Sequence, residues 1–441
     1  MKRILNTAIL GAASALALSA LPAAAQNVVV ANATVVTGDG SEPVENGVVV
    51  VENGRVTYAG SADGRSYQTD VIIDAEGAWV TPGLFATVTT LGLVDVDAVS
   101  ESNDSRAGSS PFSAALDVAP AVNPSSQNIM IHRAAGITRA ATTTLPSASI
   151  FAGQGAIIDL DADSNPIVKA RAFQMVDLGE GGASRAGGSR AATYALLRAA
   201  LREAQALTGS RGIPQTTEIA QDAEVLLSRF DAEALKPVVA GTQKLYVAVE
   251  RAADIRSVLA LKNEFPNLDM VLVGVSEGWL VADEIAAAGV PALADPLDAL
   301  PTGFDQLAAT QSNVGRMKQA GVKVGLNTAG IENPRRLAQQ AGNLVGLAKM
   351  PGASGLTWGE AFASISSIPA DISGMGGQAG ILAQGALGDV VIWNGDPLEV
   401  TSVPTRVFIG GVEQSLGNHQ SRLRDRYRDL DESDLPKAYD W

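Results

Sequence analysis

Two histidines, His132 and His419, and no cysteine occur in 441 residues, and this inventory limits the chemistry open to the chain. A metal centre of three or four imidazoles cannot be assembled from it, and neither a thiolate ligand nor a disulfide can form. Nucleophilic catalysis fares no better. Ser276, Ser147 and Ser149 have no available histidine, no G-x-S-x-G elbow is present, and no spacing suggests a serine–lysine pair. The carboxylates offer more. Glu250, Glu277 and Asp295 each follow a short apolar run, so an acidic trio at neighbouring strand ends could hold Mg²⁺ or Ca²⁺, or serve as general acid and base. The competing reading is structural: carboxylates at strand ends cap the next helix, or pair with a neighbour such as Arg251. His132, in IMIHRAAGIT, reads as a helix-surface or satisfied core histidine, and His419 falls in a charged tail.

The elements that must position these residues follow from periodicity. From Asn27 to Ile73 the text is short and β-like, and Asn53-Gly54 between two β-branched runs is a two-residue hairpin signal. After Gly83, apolar strands alternate with Ala/Leu-rich helices. The strands expected are Ile137–Thr144, Ala156–Leu160, Leu245–Val249, Met270–Val275, Val290–Ala294 and Val322–Leu326. Among the helices is SRAATYALLRAALREAQAL, where Tyr194, Leu197 and Leu201 share a face. Near-continuous apolar strands alternating with helices imply a parallel sheet covered by helices, and the length fits an α/β fold of the (β/α)8 barrel type. Strand text returns at Asp389–Trp393 and Thr405–Ile409, which could complete the early β layer as one composite β-sandwich built from both chain ends.

Two glycine-rich stretches were weighed as sites. Gly153-Gln154-Gly155 reads as a turn before it reads as an anion cradle. Leu178–Arg190, LGEGGASRAGGSR, reads either as a lid carrying Arg185 and Arg190 or as an exposed connection.

Composition excludes some functions. Hydrophobic residues make up 46% and charged residues 18%, and the formal net charge is −15. That balance fits a compact globular protein and argues against nucleic-acid binding, which needs a basic face. Lys2 and Arg3, the apolar run Ile4–Leu21 and the small residues Ala23-Ala24-Ala25 predict a signal peptide over 1–25, cleaved before Gln26. The expectation is an exported, periplasmic protein with no membrane span after cleavage. The boundaries expected are a β layer over 26–83, a barrel over 84–379, the returning β layer over 380–416 and a charged tail over 417–441.

The ordered landmarks WVTPGLFATVTT, LGLVDVDAVSESNDS, AAGITRAATTTLPSASIFAGQGAII, ERAADIRSVLAL, VGVSEGWLVADEIAAAGVPAL, GVKVGLNTAG and GDVVIWNGDPLEVTSVPTRVFIGG resemble the amidohydrolase superfamily. The similarity points to the periplasmic branch related to imidazolonepropionase. The resemblance implies a (β/α)8 barrel with a composite β domain, and hydrolysis of non-peptide C–N bonds by a bound divalent metal such as zinc. It also implies where ligands belong. Val88 and Thr90 stand where the family motif carries two histidines, Ala86 where it carries aspartate, and Ala248 and Glu250 where relatives often carry H-x-H. Ala329 stands at the position of the catalytic aspartate. Without a metal, water keeps a pKa near ~15.7 rather than ~7, so the family's nucleophile is not generated at neutral pH.

The expectation is therefore a degenerate member with no metal and no other cofactor, a pseudoenzyme with a binding or partner-supporting role. The partner expected is an active amidohydrolase paralogue or a second copy. A small molecule or peptide could occupy the barrel mouth, now more apolar, and the arginine-rich tail RLRDRYRD could dock. The alternative is a residual hydrolase working through Glu250 and Glu277.

Overall fold

The computed structural model describes residues 27–62, 64, 69, 71–96, 98–209, 226–328 and 333–428. The predicted signal peptide, Ala329 and the tail beyond 428 lie outside the described residues.

Five strands open the chain: β1 (Val28–Val35), β2 (Val44–Glu52), β3 (Arg55–Ser61), β4 (Val71–Asp74) and β5 (Trp79–Pro82). Asn53 and Gly54 join β2 to β3 with φ of 51° and 75°, the two left-handed residues that this tight turn requires. One edge of β1 pairs with β2. Its other edge pairs with β4 through Val28–Ala31 and then with β5 through Thr34–Val35. Val30, Val35, Val49, Val80, Ile392 and Phe408 pack together in the core beneath this sheet.

Eight strands form the second sheet: β6 (Leu84–Thr89), β7 (Ile137–Thr142), β8 (Phe151–Asp159), β9 (Ile167–Asp177), β10 (Lys244–Val249), β11 (Met270–Gly274), β12 (Ala292–Ala294) and β13 (Val324–Leu326), neighbours in that order. Residues 364–366 bridge the gap between its two ends. Leu326 N–H donates to Ser364 O at 2.8 Å and Phe85 N–H to Ile365 O at 3.0 Å. The sheet thus closes into a nearly complete barrel.

One strand corrects the strict (β/α)8 expectation. β8 runs antiparallel to both β7 and β9, because the short stretch 160–166 allows a hairpin but not a crossover helix. β9 itself was not expected, since its first half, IVKAR, is interrupted by Lys169 and Arg171 and is largely exposed. The segment Gly153-Gln154-Gly155 is neither turn nor cradle; it lies inside β8. A Cβ at Gly155 would run into the Phe173 ring.

The returning strands are β14 (Val390–Trp393), β15 (Pro404–Ile409) and β16 (Val412–Gln414). β14 lies antiparallel to β5, so both chain ends build one sheet. Outside the barrel, helix Arg190–Gly209 buries Leu197, Ala200, Leu201 and Ala204, and the Tyr194 hydroxyl donates to Asp254 O at 3.0 Å. Helix His419–Tyr427, capped by Asn418, buries no side chain. Among the described residues no helix is long and apolar enough to cross a membrane.

Candidate functional site at the barrel mouth

The C-terminal ends of parallel barrel strands are where barrel enzymes place their chemistry. β6 brings Val88 there, buried and in the left-handed region at φ 50°. A β-branched residue rarely adopts that conformation, which costs on the order of 1–3 kcal/mol. Val88 belongs to the apolar cluster that fills the barrel with Phe85, Phe173, Tyr246, Val271 and Leu293, and Ala248 packs against the same cluster. Phe173 and Tyr246 stack at 4.2 Å, and the Tyr246 hydroxyl bonds Ser373 Oγ at 3.1 Å. Thr90 is half-buried at the rim. Thr87 Oγ donates to Leu326 O at 3.0 Å, and Thr328 Oγ donates to Thr87 O. Of the described positions that the resemblance assigns to metal ligands, Val88 and Ala248 thus serve packing and Thr90 sits at the rim, while Glu250 alone keeps a ligand-competent side chain.

Polar chemistry lies at the ends of β10 to β12. Glu250 Oε2 accepts from Ser276 N–H and Ser276 Oγ, each at 2.8 Å. A Cβ at Gly274, whose φ is +89°, would collide with the Glu250 carboxyl, so glycine makes room for it. Asp295 Oδ1 accepts from Asn327 Nδ2 at 2.7 Å, and Asp298 lies 3.5 Å from Ser276 Oγ. Burial first, and the Asp295 charge second, push Glu250 up to about 8. Burial and then Asp298 push Asp295 up to about 7. Burial and mutual repulsion thus favour one proton held between the two carboxyls near neutral pH, and a protonated acid beside a carboxylate can donate and accept protons.

Glu277 is not part of this group. Its Oε2 accepts from Ala252 N–H and its Oε1 from Ala308 N–H, each at 3.0 Å, tying the start of helix Ala252–Leu259 to the loop after β12. The acidic trio is corrected to a pair, Glu250 and Asp295, with Asp298 beside it. Arg251 pairs with Asp254 at 2.8 Å and not with Glu250. Asp298 lies in the loop past Asp295 with no motif to mark it, and Ser276 and Asn327, although each follows a barrel strand, were missed as carboxylate donors because spacing does not show which group a hydroxyl or amide reaches.

The glycine-rich stretch after β9 is pinned. It forms helix Glu180–Arg185, with Arg185 on Asp177 and Arg190 on Asp254, each at 2.7 Å. His132 is the satisfied buried histidine of helix Gln127–Arg133: Nδ1 lies 2.6 Å from Asn128 O and Nε2 lies 3.1 Å from Asn333 Oδ1. Burial is the main cause that holds it below the usual histidine range.

The residues do not fit a divalent-metal centre. Ala86, Val88, Thr90 and Ala248 offer no strong ligand, Glu250 is the one carboxylate at the described motif positions, and among the described residues no group of three or more His, Cys, Asp or Glu could hold a metal ion.

No protein-family model matches the chain. Among solved structures, an amidohydrolase from Thermotoga maritima MSB8 superposes with a TM-score of 0.74 at 22% identity, covering 88% of this chain and 99% of that one. The fold is that of an amidohydrolase. A zinc-bound adenosine deaminase from Xanthomonas campestris superposes at a TM-score of 0.51 and 14% identity, over 89% and 93% of the two chains. Sequence similarity is strong only locally. Amidohydrolase tasK of Hapsidospora irregularis is 42% identical over 60 residues, 14% of this chain and 6% of that protein. The 5-methylthioadenosine/S-adenosylhomocysteine deaminase of Bacillus thuringiensis (strain Al Hakam) is also 42% identical over 60 residues, 13% of this chain and 14% of its own length. The match therefore spans a small fraction of these curated relatives. Together the fold and the local matches support the amidohydrolase superfamily.

Proposed function

We propose that this chain is an exported, metal-free member of the amidohydrolase superfamily, from the imidazolonepropionase-related branch, that acts by binding rather than by metal-dependent hydrolysis. The observation that carries the reading is the placement of Val88 and Ala248 in the apolar packing of the barrel interior, where the resemblance calls for metal ligands. Losing one ligand weakens a site. Burying two of its positions among Phe85, Phe173 and Tyr246 removes the polar cavity that a hydrated ion needs. The partner proposed is an active amidohydrolase paralogue or a second copy of this chain.

A second reading rests on the Glu250 and Asp295 pair. Two buried carboxyls, one protonated and one ionised, form the arrangement that general acid–base hydrolysis uses without a metal. Metal per chain, measured by mass spectrometry on protein purified from its own cells without chelator or nickel resin, tests the first reading. The expected content is far below one, unchanged by Glu250→Gln. One metal per chain, lost in that variant, would sink it. Turnover of amide or lactam substrates that disappears in Glu250→Gln without any metal dependence would establish the second reading instead.

A further inference from the structure

A cavity of about 540 Å³ lies outside the barrel, where helix His419–Tyr427 faces the turn Pro334–Arg336 and the loop between β14 and β15. Small-molecule sites run from ~300 to ~1,000 Å³. It shares no residue with the Glu250 and Asp295 pair. Its wall is divided by chemistry. Ala134, Ala338, Pro397 and Pro404 give it small apolar side chains, and Val403, 54% exposed, stands at its rim. Three arginines, Arg335, Arg336 and Arg424, line the rest, against one carboxylate, Glu399. That balance reverses the chain as a whole, which carries 47 acidic residues to 32 basic ones. The cavity therefore favours an anion on a protein that otherwise repels one.

One guanidinium is held ready. Arg335 donates from Nε to Asn333 Oδ1 at 3.2 Å and from Nη1 to Gln420 Oε1 at 2.7 Å. Both acceptors are neutral amides, and no carboxylate among the described residues pairs with Arg335. Its orientation is thus fixed while its charge stays uncompensated, and donors of its planar fork remain for a ligand. The helix that supplies Gln420 has little other reason to stand here, since it buries no side chain. Polar contacts hold it: His419 N–H donates to Gln127 Oε1 at 3.2 Å, and Gln420 accepts from Arg335. Leu416, just ahead of the helix, packs against the core. Forming the cavity wall accounts for a position that burial does not.

We propose that this cavity binds an organic monocarboxylate with an apolar body. The carboxylate takes charge-assisted hydrogen bonds from Arg335, the geometry that a planar guanidinium matches best. The apolar body covers the alanine and proline side chains and is flanked by Val403, which removes their surface from water. Glu399 is the one group of the wall that opposes a second negative charge.

The test uses the full chain and 2-naphthoate, followed by ligand-observed NMR titration. 2-Naphthamide serves as the neutral counterpart, and acetate and inorganic phosphate as anions without the apolar body. Saturable binding of 2-naphthoate is expected, with all three comparison probes at least about tenfold weaker, as loss of one charge-assisted hydrogen bond or of the apolar contact implies. Arg335→Met should weaken 2-naphthoate by at least about tenfold and leave 2-naphthamide unchanged. Gln420→Ala, which only frees Arg335, should weaken 2-naphthoate severalfold. Both positions are exposed, so the melting temperature should stay within about two degrees of the parent. Glu250→Gln should leave the binding unchanged, which separates this site from the carboxyl pair. Equal affinity for acid and amide overturns the proposal, as does 2-naphthoate binding indifferent to Arg335→Met. Acetate or phosphate binding as tightly as 2-naphthoate reduces the cavity to a general attraction for anions and defeats the inference. So does the absence of saturation at millimolar 2-naphthoate.

Discussion

Glu250 and Asp295 carry a consequence for stability that can be worked out from their surroundings. Both have folded pKa values raised from the ordinary carboxylate range, to about 8 and about 7, with burial the main cause. The folded state therefore binds protons that the unfolded chain has released. Their contribution is complete below about pH 4 and is lost as pH rises through 7 to 8. Stability measured by chemical denaturation should fall from pH 5 to pH 8, and Glu250→Gln should flatten that fall because an amide does not ionise. A slope identical in parent and variant would show that Glu250 is already ionised. The sequence did place Glu250, Glu277 and Asp295 at the ends of three successive strands. It could not separate them from Glu277, because following a strand fixes where a side chain starts and not where its carboxyl ends. Glu277 turns to two backbone N–H groups, and no motif announces that turn.

Gly83, between β5 and β6, shows what packing the motif WVTPGLFATVTT serves. A Cβ there would collide with the hydroxyl and methyl of Thr138 on β7. Its N–H donates to Asp389 O at 3.1 Å. The glycine is thus required by the approach of β7 to the strand start, independently of any metal. Gly83→Ala should cost about 1–3 kcal/mol, as overpacking in a close-packed interior does, and a melting temperature within a degree of the parent would contradict that. Most elements were legible from hydrophobic periodicity: the Asn53-Gly54 hairpin, the parallel strands from β10 onward and the returning β14 and β15. β9 was not, because its first half is exposed and its apolar run is broken by Lys169 and Arg171. The reversed direction of β8 escaped notice for a related reason. Apolar text marks a buried strand but carries no sign of its direction, which depends on a hairpin partner that had not been recognised.

At the scale of the whole molecule, the question is what holds the barrel against the composite sheet. Arg139 of β7 reaches Asp389, just before β14, with Nε to Oδ2 at 2.6 Å and Nη2 to Oδ1 at 3.2 Å. Both side chains are almost wholly buried, at 6% and 2% exposure. Asp389 Oδ1 also accepts from Gly410 N–H at 2.8 Å, so one carboxylate joins the barrel to the turn between β15 and β16. Asp159 approaches the same guanidinium at 3.7 Å, its carboxyl pushed up to about 7 chiefly by burial. Removing one member of such a pair leaves the other charge buried and uncompensated. Asp389→Ala should therefore cost about 3–5 kcal/mol, whereas replacing both partners together, as in Arg139→Met with Asp389→Leu, should cost far less. Denaturation followed separately by far-UV circular dichroism and tryptophan fluorescence reads both the loss and whether the two probes still change together. A single substitution costing under 1 kcal/mol would mean that the apolar contact alone holds barrel and sheet together. The expected large loss would place the hold on the fold away from the barrel mouth: the contacts Gly83 against Thr138 and Arg139 against Asp389 share no residue with the positions that the resemblance assigns to metal ligands.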